Sequence, residues 1–380
     1  MASLLNLGQT TEKLARQRRQ WQAFKAAADR MQKMPGGAGG PLTEVTDFGP
    51  NPGNLRMLTH VPPRLQRSAP LVVVLHGCTQ TAAGYGYGSG WVDLADRFGF
   101  ALLLPEQRRD NNANTCFNWF ESKHARRGSG EAESIRAMVA HMVADHGLDR
   151  SRVYVTGLSA GGAMTSVMLA THPELFAGGA VVAGLPYGAA GSVGEAFDAM
   201  FQPRSRPRQA WGDLVRSASP HGGPWPRVAV WHGDADATVL PRNADEVAKQ
   251  WLDLHGLGPV PDVERTIGVH TERVWRNAAG EPAVELHTLS GMAHGVAVCP
   301  GEGDGRCGSA GPFILDVGVS STWRIAESWG LTRGVPEVEV RGPVPEMKPQ
   351  PQPSHAEHAL GARIQSVITR ALEAAGLMKR

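Results

Sequence analysis

Long apolar runs are missing from this chain. No stretch approaches the roughly 20 residues that span a bilayer, so no membrane-crossing helix is expected. An excess of one charge is missing too. The 38 Lys and Arg residues stand against 36 Asp and Glu, a net charge of +2, too little to argue for a nucleic-acid partner. Cysteine is scarce, with four in 380 residues. None forms a C-x-x-C pair, which argues against a zinc ribbon. The even count of Cys78, Cys116, Cys299 and Cys307 fits two disulfides, with Cys299–Cys307 closing a short Gly-rich loop and Cys78–Cys116 as the other. Four free thiols in a cytosolic protein fit equally. Met1 to Gln20 carries Lys13, Arg16, Arg18 and Arg19 but no apolar segment of about 7–15 residues, so no conventional signal peptide is expected. There is no internal repeat.

What is present suits a large folded domain. Hydrophobic residues make up 42% and charged residues 19%, enough for a sizeable core. The 46 Gly and 27 Pro predict many loops. Residues 1–40 read as an appendage. Leu14, Trp21, Phe24, Ala28 and Met31 recur at helical spacing, and a Gly-rich linker follows from Pro35. That helix either docks on the body or adheres to a polymer or lipid surface. Strands are predicted at 55–62, 71–75, 100–105, 152–156, 179–183, 228–231 and 284–289. Helices are predicted at 91–97, 131–146, 159–171, 243–255 and 320–329. Residues 186–226 have weak periodicity and read as an insertion near the site. Glu337 to Pro353 reads as an extended Pro-rich linker, and His355 to Met378 as a terminal helix. Strand and helix alternate, which predicts an α/β fold: a mostly parallel central sheet with helices on both faces. The domain is set at 41–334, with 1–40 and 335–380 as appendages.

The stretch from Val153 to Gly162 carries the chemistry. A β-prone run ends at Gly157, a serine follows two residues on, and Gly161-Gly162 opens a helix. A strand that turns into a helix around G-x-S-x-G is a nucleophile elbow. The turn is so tight that its neighbours must be small. Ser159 is therefore the expected nucleophile, and the backbone N–H of Ala160 an oxyanion donor. The pattern by itself is short, and an ordinary glycine-rich turn is the bland alternative.

A serine hydroxyl needs a base, and the base needs a group to fix its tautomer. In α/β-hydrolases the order is Ser, acid, His. The acid lies in His232-Gly233-Asp234-Ala235-Asp236, just after a strand. Asp236 is further into the loop, and Asp234 is the fallback. The base is His294, in Gly291-Met292-Ala293-His294-Gly295, flanked by small residues after the last predicted strand. The second oxyanion donor is expected in the loop His76-Gly77-Cys78-Thr79-Gln80, at the N–H of Cys78. The Cys78 thiol itself has no thiolate-stabilising setting and is read as structural.

Taken together, His76 to Gln80, Cys116-Phe117-Asn118-Trp119, Gly157 to Gly162, Val181 to Gly188, His232 to Val239 and Gly291 to His294 resemble the PHB depolymerase family of esterases, related to feruloyl and acetylxylan esterases. The resemblance covers roughly residues 45–330. It implies an α/β-hydrolase fold and a serine esterase that works through an acyl-enzyme without a cofactor. It implies an ester substrate, from hydroxybutyrate polymer or oligomers to smaller esters, and an extracellular location; the N-terminus leaves the cytoplasm as the alternative. It carries the acid role onto Asp236. Trp119, Tyr187 and Trp211 are expected to line the substrate side, where aromatic faces stack on acyl chains or sugars. Phe120 and Trp225 lie in similar loops. No metal is expected: the Gly301-Glu302-Gly303-Asp304-Gly305 turn offers two carboxylates and no full calcium ligand set. A non-catalytic granule binder and an esterase of plant polysaccharide esters are the rival readings.

Overall fold

Short, mostly exposed strands build the edges of the sheet, and continuous apolar runs build its centre. The computed structural model describes residues 42–333 apart from position 64. The predicted terminal helices and linkers at 1–40 and 335–380 lie outside the described residues. β1 (Thr43–Val45) and β2 (Arg56–His60) enter antiparallel. The buried runs β3 (Leu71–Leu75), β4 (Ala101–Glu106), β5 (Val153–Leu158), β6 (Gly178–Val182) and β7 (Arg227–Gly233) follow. A hairpin of β8 (Val263–Ile267) and β9 (His270–Arg276) then leads to β10 (Pro282–Leu289). The ten strands lie in the order β1-β2-β4-β3-β5-β6-β7-β10-β9-β8. From β4 to β10 the pairing is parallel; the two strands at each end are antiparallel. Strands buried on both faces read as unbroken apolar runs, as parallel strands do.

Helices cover both faces, as the sequence predicts. α1 (Ala82–Gly88), α2 (Trp91–Phe98), α3 (Gly130–His146) and α4 (Ala160–Thr171) come first. α5 (Val193–Phe201), α6 (Arg208–Arg216), α7 (Arg242–Leu254) and α8 (Ser321–Ser328) follow. Every residue of α4 is buried, so it shows no amphipathic stripe. Neighbouring residues of one strand face opposite layers. Gly179 of β6 makes room for Leu169 of α4; a Cβ there would lie 2.6 Å from its Cδ1. Ala180 joins the opposite layer, where Tyr154 stacks on Trp329 at 4.6 Å and Trp91 stacks on the same indole at 5.9 Å.

Several features depart from the sequence expectations. The 186–226 segment, with its weak periodicity, carries α5 and α6. The β8–β9 hairpin was not expected, because Val263-Glu264-Arg265-Thr266-Ile267 is mostly exposed and polar. Only one of the two fitted disulfides forms. Cys78 and Cys116 are bonded, whereas Cys299 and Cys307 are thiols. They face each other across a single antiparallel bridge. The Cys307 sulfur, however, is buried within 3.0 Å of Ser320 Oγ, and burial pushes its thiol up to about 11. Among the described residues no helix is long and apolar enough to cross a membrane.

Candidate active site

Ser159 sits between β5 and α4 with φ 58° and ψ −116°. That is strained backbone for a residue with a Cβ. Two hydrogen bonds hold it: its N–H donates to Val182 O at 2.9 Å, and its carbonyl accepts from Ala163 N–H at 2.9 Å. The flanking glycines are steric necessities. A Cβ on Gly157 would lie 2.5 Å from the Gly161 carbonyl, and one on Gly161 would lie 2.2 Å from Leu75 O. Ala160 opens α4, so its N–H has no acceptor within the helix.

The acid and base predicted from the sequence meet. His294 Nδ1 lies 2.7 Å from Asp236 Oδ2. The carboxylate only accepts, so Nδ1 carries the proton and the lone pair is on Nε2. The other oxygen, Oδ1, accepts from Thr238 N–H at 2.8 Å and Val239 N–H at 2.9 Å. His232 makes a second imidazole contact, with Nε2 3.2 Å from Asp236 Oδ2 and 2.7 Å from Val239 O. Both of those partners accept, so His232 is protonated at Nε2. Burial alone would raise the Asp236 carboxyl. The electrostatic pull of the His294 ring, with the His232 and His294 hydrogen bonds, outweighs it and holds the group well below the usual carboxylate range.

Ser159, Asp236 and His294 follow β5, β7 and β10, all at the carboxyl edge of the parallel strands. A ladder of loop hydrogen bonds runs along this edge. Ser159 N–H donates to Val182 O, Ala183 N–H to Trp231 O, and Ala235 N–H to Met292 O, at 2.9, 2.8 and 3.1 Å. Asp234, the fallback acid, has a different task. Its Oδ1 accepts from Gly291 N–H at 2.6 Å and closes the turn before His294. Phe313 packs edge-on to the His294 ring at 6.0 Å, and its neighbour Pro312 accepts from Gln80 Nε2 at 3.1 Å. Ser159, Asp236 and His294 are only 6%, 2% and 7% exposed, so bulk water does not compete for their hydrogen bonds.

The loop that follows β3 passes beside the elbow. A Cβ on Gly77 would lie 3.4 Å from Leu158 O, and Gly77 N–H donates to Gln80 Oε1 at 2.9 Å. The next residue, Cys78, is tied by its disulfide to Cys116. Below that strap lies Glu131, fully buried in the first turn of α3. It accepts from Asn118 N–H at 2.8 Å, Asn118 Nδ2 at 2.7 Å and Gln107 Nε2 at 2.7 Å. Gln107 N–H in turn donates to His76 Nε2 at 3.1 Å. One carboxylate thus anchors both ends of the loop system around Cys78. Burial pushes the Glu131 carboxyl up to about 7, with the amide donors opposing the rise. Its pKa is higher folded than unfolded, so stability falls as pH rises from about 4.5 to 7 and then levels off. Glu131→Gln is expected to be less stable overall, because an amide N–H₂ then faces donors. It is also expected to lose less stability than the parent between pH 5 and pH 8, by up to roughly 3 kcal/mol. Urea midpoints of both proteins at the two pH values check this, and identical pH slopes would refute it.

The aromatic residues expected on the substrate side are placed differently from one another. Trp119 is buried, edge-on to Phe120 at 5.5 Å. Tyr187 is half-buried, and its hydroxyl donates to Ala125 O at 3.3 Å. Trp211 is 2% exposed, and its indole N–H donates to Glu246 Oε2 at 2.6 Å. That bond fastens α6 to α7, and Trp211 borders a cavity of about 220 Å³ shared with Pro186 and Asn243. Sequence reasoning missed His232 and Glu131. His232 was in view as the residue after the predicted strand, but one buried histidine among 14 carries no signal until its partner is known.

Comparison with known proteins shows the family. The profile of the family described as "Esterase PHB depolymerase" matches residues 57–274. Poly(3-hydroxyalkanoate) depolymerase C of Paucimonas lemoignei is 49% identical over 291 residues, covering 76% of this chain and 70% of that protein. Acetylxylan esterase A of Aspergillus oryzae is 33% identical over 268 residues, covering 68% and 85%. Among solved structures, an acetyl xylan esterase from Aspergillus awamori superposes with TM-score 0.62 at 29% identity, over 67% of this chain and 94% of that one. On this footing the chain belongs to the PHB depolymerase family of esterases and is a carboxylic-ester hydrolase with the α/β-hydrolase fold.

Proposed function

We propose that Ser159 is the nucleophile, His294 the general base and Asp236 the group that orients it, with the N–H groups of Ala160 and Cys78 as the oxyanion hole. The observation that carries this reading is the 2.7 Å bond between His294 Nδ1 and buried Asp236, on the strand edge that also holds the strained serine. Ser159 Oγ attacks the ester carbonyl, and its proton passes to His294 Nε2. The two amides hold the negative oxygen. The tetrahedral intermediate collapses, and His294 returns the proton to the departing alkoxide. Water, deprotonated by His294, then releases the acyl group as the acid and restores Ser159. The Asp236 carboxylate stabilises the imidazolium formed in each half.

The substrate in this reading is a polyhydroxyalkanoate, taken as 3-hydroxybutyrate polymer or oligomers. Its support is the relative at 49% identity, a poly(3-hydroxyalkanoate) depolymerase. The enzyme acts outside the cell; the Cys78–Cys116 disulfide supports that, since such bonds persist in oxidising compartments. The hydrolase domain spans 41–334, and Trp119, Tyr187 and Trp211 border its substrate side. A second reading is an acetylxylan- or feruloyl-type esterase, favoured by relatives so named at 33% and 37% identity. Rates on a 3-hydroxybutyrate oligomer and on methyl ferulate separate the two. The oligomer is expected to be the faster substrate. Faster turnover of methyl ferulate would replace the first reading with the second. Absence of labelling by a fluorophosphonate would remove the serine mechanism from both.

A further inference from the structure

A second cluster of chemistry-bearing groups lies at the antiparallel end of the sheet. Glu285 and His287 are two residues apart on β10, so they share a face. Glu272 of β9 stands directly opposite His287 in the register, which puts it on that face as well. One ligand atom from each of the three lies within 4.8 Å of the other two. Glu285 and His287 are 8% and 3% exposed. A cavity of about 640 Å³ opens onto them, walled by the sheet, by Arg324 and Glu327 of α8, and by the 304–306 loop.

The internal geometry is that of a chelate. His287 Nε2 lies 3.3 Å from Glu285 Oε2, and two ligands bound at about 2.0–2.1 Å to one tetrahedral ion are separated by a similar span. The other ring nitrogen is already engaged: His287 Nδ1 lies 3.0 Å from His270 Nε2. A metal-binding imidazole uses its second nitrogen in this way, donating N–H to an outer acceptor. Trp231 stacks on the His287 ring at 4.0 Å and fixes its plane.

We propose that Glu272, Glu285 and His287 form a binding site for a divalent transition-metal cation of the zinc class, with water as the fourth ligand. One nitrogen and two carboxylates suit zinc better than calcium, which takes six to eight oxygens. Two carboxylates balance the charge of the ion. The competitor for the Glu272 carboxylate is the pair of its Oε2 with Arg265, whose side chain is 59% exposed. Exposed pairs of this kind contribute little. The bound ion would tie the β8–β9 hairpin to the parallel sheet and so raise stability through linkage.

The test is equilibrium dialysis of the full chain against zinc, after chelator treatment. A His294→Ala background removes the catalytic cluster as a competing site. One equivalent is expected to bind in that background and to raise the thermal midpoint. Glu285→Gln and Glu272→Gln are each expected to weaken binding by at least roughly tenfold, since loss of an outer partner alone costs that much. In otherwise wild-type protein both variants keep their rate on p-nitrophenyl butyrate. Glu272 is on the outer hairpin, so its variant tests the site even if Glu285→Gln does not fold. No uptake by the wild-type chain, loss of uptake in His294→Ala, or unchanged uptake in Glu272→Gln would each overturn the proposal.

Discussion

Ser159→Ala is expected to lower kcat on p-nitrophenyl butyrate by about a millionfold, the order seen when a triad serine is removed. The residual rate would come from the amides and from binding. Stability is expected to change little. The Ser159 side chain makes no capping hydrogen bond to α4, and alanine at φ 58° carries a backbone strain similar to that of serine. The variant therefore separates chemistry from folding. The measurement is kcat beside a thermal melt. A variant that melts with the parent and keeps turnover within a factor of ten would show that another group is the nucleophile.

Asp236→Asn has the next largest effect, expected at about ten-thousandfold in kcat. The reason lies in the four contacts of this carboxylate. Oδ1 accepts from two backbone N–H groups, and Oδ2 faces the imidazoles of His294 and His232. An amide has only one oxygen. If that oxygen keeps the Thr238 and Val239 bonds, the N–H₂ faces His294 Nδ1. The imidazole then moves its proton to Nε2 and has no lone pair to receive the serine proton. If the amide turns the other way, it places N–H₂ against two backbone donors and loosens the loop. Both outcomes lower kcat, and the second also lowers the melting temperature. The wild-type carboxylate adds a pH signature. Its pKa is lower in the folded state than in the unfolded chain. Its stabilising contribution is complete above the unfolded value of about 3.9 and is lost as pH falls towards the folded one. The variant is therefore expected to have a flatter acid limb in its stability profile. A kcat within tenfold of the parent would refute the orienting role.

The parallel centre of this fold was legible in the sequence because its strands are buried on both faces. Leu71 to Leu75 and Ala101 to Leu104 contain no polar residue, and only a covered strand tolerates that. The elbow was legible for a steric reason: backbone passing within 2.5 Å of where a Cβ would be demands glycine at those positions, and glycine is visible in a sequence. The β8–β9 hairpin was not legible. Its residues lie at an edge, where either face accepts polar side chains. Cys299 and Cys307 were a reasonable pair by spacing, yet the path of the Cys307 side chain into the core decides against the bond.

The sequence by itself determined which residue types stand at strand ends, and in what order: Ser159, then Asp236, then His294. Its place further into the loop and the family resemblance favoured Asp236 over Asp234, but only the tertiary structure gives the physical reason. Asp234 and Asp236 are two residues apart in one turn. Only the loop bonds from Asp234 to Gly291 and from Asp236 to Thr238 and Val239 give one a closing task and the other the histidine. The same holds for His232, Glu131 and the Glu272–Glu285–His287 cluster. Their roles come from neighbours distant in the chain, which strand register and helix packing bring within bonding range.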